Sequence, residues 1–211
     1  MIYLVGLKQD KNIAQIVVNK IFYNTFSVDF SKYNSVIITS KNAVKALEFN
    51  KIKIAKHIKI FSIGLSTTKY LNELSYNVFY TGCSGHSSEF KYEILDKLES
   101  KVLYLKAKEI KSNLDEFLLS KNIDIEIINA YKNIDCECEF KINKDDILIF
   151  LAPSSVRSFF CKNKAIIADE QRLICIGRST EDELKKYTKN KIYIPQYPNI
   201  DECIKLAKEM K

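Results

Sequence analysis

The sequence predicts an α/β protein: two similar parallel-sheet domains of the flavodoxin/Rossmann-like kind, joined by a two-stranded β ribbon. Three observations predict it. Strand-like apolar runs alternate with amphipathic helical runs of about ten residues, the pattern of βαβ units. The run Ile147-Leu148-Ile149-Phe150-Leu151 is apolar throughout, as a strand covered on both sheet faces must be. The third is an internal repeat. Val36-Ile37-Ile38-Thr39-Ser40-Lys41-Asn42-Ala43-Val44 aligns with Leu148-Ile149-Phe150-Leu151-Ala152-Pro153-Ser154-Ser155-Val156, an offset of 112 residues. Ser62-Ile63-Gly64-Leu65-Ser66-Thr67 aligns with Cys175-Ile176-Gly177-Arg178-Ser179-Thr180, an offset of 113. Two motifs repeated in one order at one spacing argue for two copies of a unit.

The elements follow in chain order. Ile2 to Leu7 reads as a strand, and Ile16 to Phe26 as a long β-branched and aromatic extended stretch. Val36 to Thr39 is a short buried strand, followed at once by a helix from Lys41 to Phe49. Ile58 to Ile63 is a strand that leads through Gly64 into a helix at Thr67 to Leu74. Asn77 to Tyr80 is a strand. The helix from His86 to Leu98 carries Phe90, Ile94, Leu95 and Leu98 at helical spacing. Lys101 to Leu105 is a strand, Ser112 to Leu119 a helix, and Ile123 to Tyr131 a second long extended stretch. The order then repeats: strand Ile147 to Leu151, helix Ser154 to Phe160, strand Leu173 to Ile176, helix Thr180 to Tyr187, strand Ile192 to Ile194 and helix Ile200 to Met210. No Pro/Gly-rich linker divides the halves. The two extended stretches, near 22–26 and 129–133, are the connectors.

Composition bounds the function. With 46% hydrophobic and 28% charged residues, disordered and collagen-like chains are excluded. No apolar run reaches the length of a membrane helix. The first residues read as a strand rather than a basic leader, so a cytoplasmic protein is expected. The net charge of +7 favours anionic ligands. Nucleic acid is not expected, because the positive charge is almost all lysine, spread along the chain. Arg157, Arg172 and Arg178 are the only arginines, and base readout favours arginine forks.

Cys83, Cys136, Cys138, Cys161, Cys175 and Cys203 form no C-x-x-C. Cys136 and Cys138 flank one residue in a strand-like acidic stretch. With only His57 and His86 beside them, no zinc set suggests itself. There is no phosphate-binding G-x-x-x-x-G-K-S/T loop and no G-x-G-x-x-G. Asp10 follows the first strand as a receiver aspartate would, but its usual partners are missing. His86 reads as a helix-start residue rather than a catalytic base.

In open parallel sheets, ligands bind beyond the carboxyl ends of the strands. Four such ends carry hydroxyls at a helix start: Thr39-Ser40, Ser66-Thr67, Ser154-Ser155 and Ser179-Thr180. Hydroxyls there can cap the helix, and the free N–H groups of a helix start hold anions. Four of them, repeated across two domains, point to a cleft that holds an anionic ligand. Tyr131 ends a connector, where its phenol could face that cleft.

Taken in order, these motifs resemble the uroporphyrinogen-III synthase family. The resemblance rests on Ile38-Thr39-Ser40-Lys41-Asn42-Ala43-Val44, Gly64-Leu65-Ser66-Thr67 and Val102-Leu103-Tyr104-Leu105-Lys106. It continues through Ala130-Tyr131-Lys132-Asn133, Ala152-Pro153-Ser154-Ser155-Val156 and Gly177-Arg178-Ser179-Thr180. It implies a discontinuous first domain of residues 1–22 plus 134–211, a second of 28–128, and connecting strands at 23–27 and 129–133. It implies a cofactor-free lyase with no metal. The substrate would be hydroxymethylbilane, a linear tetrapyrrole polycarboxylate, closed with inversion of ring D to uroporphyrinogen III. A monomer in transient contact with hydroxymethylbilane synthase is expected. Tyr131 would be the acid near the leaving hydroxyl. Thr39, Ser40, Ser66, Thr67, Lys106, Lys111, Ser154, Ser155, Ser179 and Thr180 would meet the substrate. Three departures stand out: Ala152 replaces a usual serine, Lys41 a usual proline, and the first βα unit is short. The rival readings are a two-domain anion or small-ligand sensor without catalysis and a flavodoxin-like electron carrier, the latter lacking a phosphate loop.

Overall fold

The computed structural model describes residues 1–9, 11–99, 101–109 and 112–210. Asp10 and Lys111 lie outside the described residues. The chain divides into two compact units, one of Met1–Lys20 with Ile134–Lys211 and one of Ile21–Asn133.

The first unit opens with strand β1 (Ile2–Leu7), and strand β2 (Ala14–Tyr23) leads from it into the second unit. The second unit continues as β3 (Ser35–Ile38), α1 (Lys41–Phe49), β4 (Lys59–Ser62), α2 (Leu65–Glu73), β5 (Val78–Thr81), α3 (Ser87–Leu95), β6 (Val102–Ala107) and α4 (Leu114–Ser120). Strand β7 (Ile125–Asp135) leads back. The first unit is then completed by β8 (Ile147–Phe150), α5 (Pro153–Arg157), β9 (Arg172–Cys175), α6 (Arg178–Leu184), β10 (Ile192–Tyr193) and α7 (Ile200–Glu209).

Within the second unit the strand order is β7-β6-β3-β4-β5, every pair parallel. Within the first it is β10-β9-β8-β1-β2, again parallel throughout. The two sheets are copies in register. Ile37 of β3 faces Tyr104 of β6, and its repeat mate Ile149 of β8 faces Leu4 of β1. The copy extends to irregularities. The β6–β7 register slips one residue between Lys106 and Ala107, and the β1–β2 register slips between Gly6 and Leu7, at the matching step.

Each sheet is covered on both faces, which explains strands that are apolar without alternation. In the second unit, Val36, Ile38, Leu103 and Leu105 pack under α1 and α2, while Ile37, Phe61 and Tyr104 pack under α3 and α4. In the first, Val5, Leu148 and Phe150 lie under α5 and α6, and Leu4, Ile149 and Ile174 under α7.

Two elements differ from expectation. The helix after β8 is α-helical only to Arg157 and continues as a π turn over Ser158–Lys162. The cause is a set of side-chain bonds. The Ser158 hydroxyl donates to the Val18 carbonyl at 2.6 Å, and the Asn163 amide binds the carbonyls of Ser158 and Cys136. Cys136 and Cys138 are not in a strand, because β7 ends at Asp135. Among the described residues no helix is long and apolar enough to cross a membrane.

Candidate active site

In the second unit Thr39 and Ser40 follow β3 and Lys106 lies at the end of β6, while Tyr131 does not end its strand but lies inside β7, opposite Ala107 at the register slip. Ser40 is the N-cap of α1. Its backbone is extended (φ −160°, ψ 144°) and its hydroxyl accepts from the Asn42 N–H at 3.1 Å. Thr39 and Ser40 are successive residues of extended chain, so their side chains leave opposite faces of the sheet. On the α3/α4 face, Thr39 Oγ1 lies 3.2 Å from Tyr104 Oη. On the α1/α2 face, Tyr131 packs with Val36, Ile38 and Leu105, and the Ser40 hydroxyl lies near enough to its phenol to favour the charged form. One dipeptide thus stands beside two phenols, one on each side of the sheet edge, and bonds one of them.

Both phenols are protonated at neutral pH. Burial pushes Tyr131 above its ordinary value, and the nearby Ser40 hydroxyl draws it part of the way back. Burial pushes Tyr104 up to about 12; the bond with Thr39 lowers it, while the Asp115 carboxylate and Tyr131 raise it. Each can therefore donate a hydrogen bond.

Lys106 follows Tyr104 by two residues, so it leaves β6 on the same face. Its ammonium pairs with Asp115 in the first turn of α4, with side chains only 13% and 14% exposed. Lys111 cannot be placed with it, lying outside the described residues.

The two Gly-x-x-Thr turns are superposable in their local geometry. Gly64 and Gly177 are the N-caps of α2 and α6, both fully extended (φ 177°, ψ 172° and φ −177°, ψ 174°). Thr67 N–H and Thr180 N–H bond the carbonyls of these glycines, each at 3.0 Å. In both turns the serine is exposed (Ser66, Ser179) and the threonine is buried (Thr67, Thr180). Because glycine occupies the cap, the hydroxyls fall inside the first turn and make no cap bond. Of the four hydroxyl pairs, only Ser40 caps its helix with its side chain.

In the first unit, α5 starts at Pro153 behind Ala152, whose backbone copies Ser40 (φ −162°, ψ 156°) but has no hydroxyl to offer. Ser154 is half-buried. Ser155 is buried, its hydroxyl against Gly6. His86 stands at the N-cap of α3, exposed and without a side-chain cap bond.

Two members of this cluster escaped the sequence reading as site residues. Tyr104 was legible in principle: with Thr39 at the neighbouring strand end, Tyr-x-Lys on β6 aligns a phenol and an ammonium on one face. Asp115 gave no signal, because an acidic residue in a first helical turn is ordinary.

Parallel strands covered on both faces, with hydroxyl, phenol and ammonium groups collected at their carboxyl ends, define an α/β protein of the class that binds its ligand at strand tips. A family model described as Uroporphyrinogen-III synthase HemD matches residues 18–205, and the chain belongs to the uroporphyrinogen-III synthase family. Among solved structures it is similar to uroporphyrinogen-III synthetase from Helicobacter pylori 26695, with 27% identity, a TM-score of 0.78, and 100% of this chain and 99% of that chain covered. A mutant uroporphyrinogen III synthase from the extremely thermophilic bacterium Thermus thermophilus shares the fold, with a TM-score of 0.61 at 13% identity over 100% of this chain and 99% of that chain. No curated protein matches.

Proposed function

We propose that the chain closes hydroxymethylbilane to uroporphyrinogen III, as a lyase of tetrapyrrole and heme biosynthesis. Loss of the ring A hydroxyl is followed by attack from the substituted carbon of ring D. A spiro intermediate then opens and recloses with ring D inverted. The substrate closes unaided to the wrong isomer, so the protein's task is orientation and stabilisation of developing charge. The reading as a ligand sensor without catalysis has no support in the family match.

The observation that carries the residue assignment is the buried Tyr131 phenol, set opposite the end of β6 with the Ser40 hydroxyl near it. The Tyr131 phenol donates to the departing hydroxyl, and the nearby Ser40 hydroxyl favours negative charge on its oxygen. Thr39 and Lys106 meet substrate oxygens on the other face. Ser66, Ser154 and Ser179 present hydroxyls to the acetate and propionate groups. Thr67, Ser155 and Thr180 hold the turns that present them, and Lys111 adds a further positive charge. We read residues 1–22 with 134–211, and 28–128, as two domains joined by strands 23–27 and 129–133 paired as a ribbon. Two bonds support this on one antiparallel register: Asn24 N–H to the Ala130 carbonyl, and Cys136 N–H to the Val18 carbonyl. A cytoplasmic monomer in passing contact with hydroxymethylbilane synthase completes the reading.

The test is a coupled assay. Porphobilinogen is fed with a deaminase, the products are oxidised, and the isomers are resolved. Isomer III above the no-protein control is expected; isomer I alone would remove the enzyme reading.

A further inference from the structure

We propose that Tyr104 is a positioning residue: its buried phenol fixes the Thr39 hydroxyl at the tip of β3, and Thr39 carries that order to the substrate. The proposal rests on the function above. Tyr104 is 1% exposed and lies in a cluster with Ile37, Phe61, Phe90 and Leu114. A phenol oxygen in such a place is costly unless bonded, and it has its bond in Thr39 at 3.2 Å. With Tyr104 donating, the Thr39 proton is left free to point at a substrate oxygen.

The fold contains its own control. Register and repeat together make Leu4 the counterpart of Tyr104 and Leu151 the counterpart of Thr39. Those two leucines pack in one apolar cluster in the first unit. The same sheet edge is therefore built without either hydroxyl, and the fold does not require the polar pair. The other tip positions agree. Lys106 has Gly6 as its counterpart, Ser40 has Ala152, and Tyr131 has Asn19. The duplication copies the frame, while Thr39, Tyr104, Lys106 and Tyr131 have no like residue at the matching positions of the first unit. A polar pair kept at the one edge that also holds Lys106 and Tyr131 is there for the reaction.

Tyr104→Phe, Thr39→Val, the double variant, and the leucine pair Thr39→Leu/Tyr104→Leu test this in the full chain, by the coupled assay and by thermal melting. Tyr104→Phe removes one oxygen and keeps the packing. It is expected to lower kcat about tenfold, with KM changed much less, and to raise the share of isomer I. Thr39→Val should do the same. The double variant should be no worse than either single one, because the two act as a unit. The leucine pair should melt lower, because leucine leaves a cavity where the Tyr104 ring stood, and be as impaired as the double variant; should it fail to fold, Tyr104→Phe carries the test. A folded Tyr104→Phe with wild-type kcat and isomer ratio overturns the proposal, and so do losses that multiply in the double variant. Isomer III missing from wild type itself would remove the function, and this inference with it.

Discussion

A side chain on Gly6 would collide with Ser155: a Cβ there would stand 2.7 Å from the Ser155 hydroxyl oxygen. Gly6 lies at the register slip of β1, with φ at +152°, where L side chains are strained. Such backbone costs about 1–3 kcal/mol when a Cβ is added. Gly6→Ala is expected to lower the melting temperature by about 5 °C. Removing the hydroxyl with Ser155→Ala should recover only part of the loss, since the backbone strain stays. A Gly6→Ala protein that melts with wild type would show that β1 relaxes there without cost.

Tyr131→Phe deletes the phenol oxygen and leaves the ring packed against α1. A partial loss is expected, about tenfold in kcat/KM, because geometry rather than proton transfer carries most of the acceleration. Ser40→Ala removes the hydroxyl near Tyr131 together with the cap of α1. It should cost about 1 kcal/mol of stability on top of a similar kinetic loss. Full activity in a folded Tyr131→Phe would exclude the acid role.

The Lys106–Asp115 pair is mostly withdrawn from water, so its members depend on one another. Asp115→Ala leaves an ammonium without its counter-charge and is expected to cost about 2–3 kcal/mol. Lys106→Met combined with Asp115→Leu should cost less than Asp115→Ala alone, which denaturant midpoints at equal m-value would reveal. Equal stability of Asp115→Ala and wild type would mean that the pair is open to solvent.

Alkaline pH should unfold the protein in part through Tyr104. Its folded value is raised from 10.0 to about 12. Above pH 10 the unfolded chain loses the proton first, so it binds fewer protons than the native state, and stability falls as pH climbs from 10 towards 12. Below pH 10 the contribution is fully present. Melting curves between pH 8 and 11 should show a shallower decline for Tyr104→Phe than for wild type. Identical slopes would place the phenol in contact with water.

The sequence carried much of this. Apolar runs such as 147–151 located the buried strands, and the repeated Thr39-Ser40 and Gly-x-x-Thr motifs located the strand tips. Local physics made them visible: strand alternation, helix starts, glycine caps. What was hidden depended on contacts between distant residues. The burial of Thr67, Ser155 and Thr180 depends on which face each first turn presents. The Tyr104–Thr39 bond joins residues 65 apart. The π turn at Ser158 depends on a carbonyl 140 residues away, that of Val18.

The swap of β1 into the later half of the chain has a consequence for synthesis. The unit Ile21–Asn133 is contiguous, so all its strands are available once Asn133 has emerged from the ribosome. Strand β1 sits between β2 and β8, and β8 is made more than 140 residues after β1 begins. Until then an apolar segment at the amino end waits with one edge open to wrong partners. Translation speed and chaperone access over that interval therefore bear on yield in a way that no property of the finished molecule reveals.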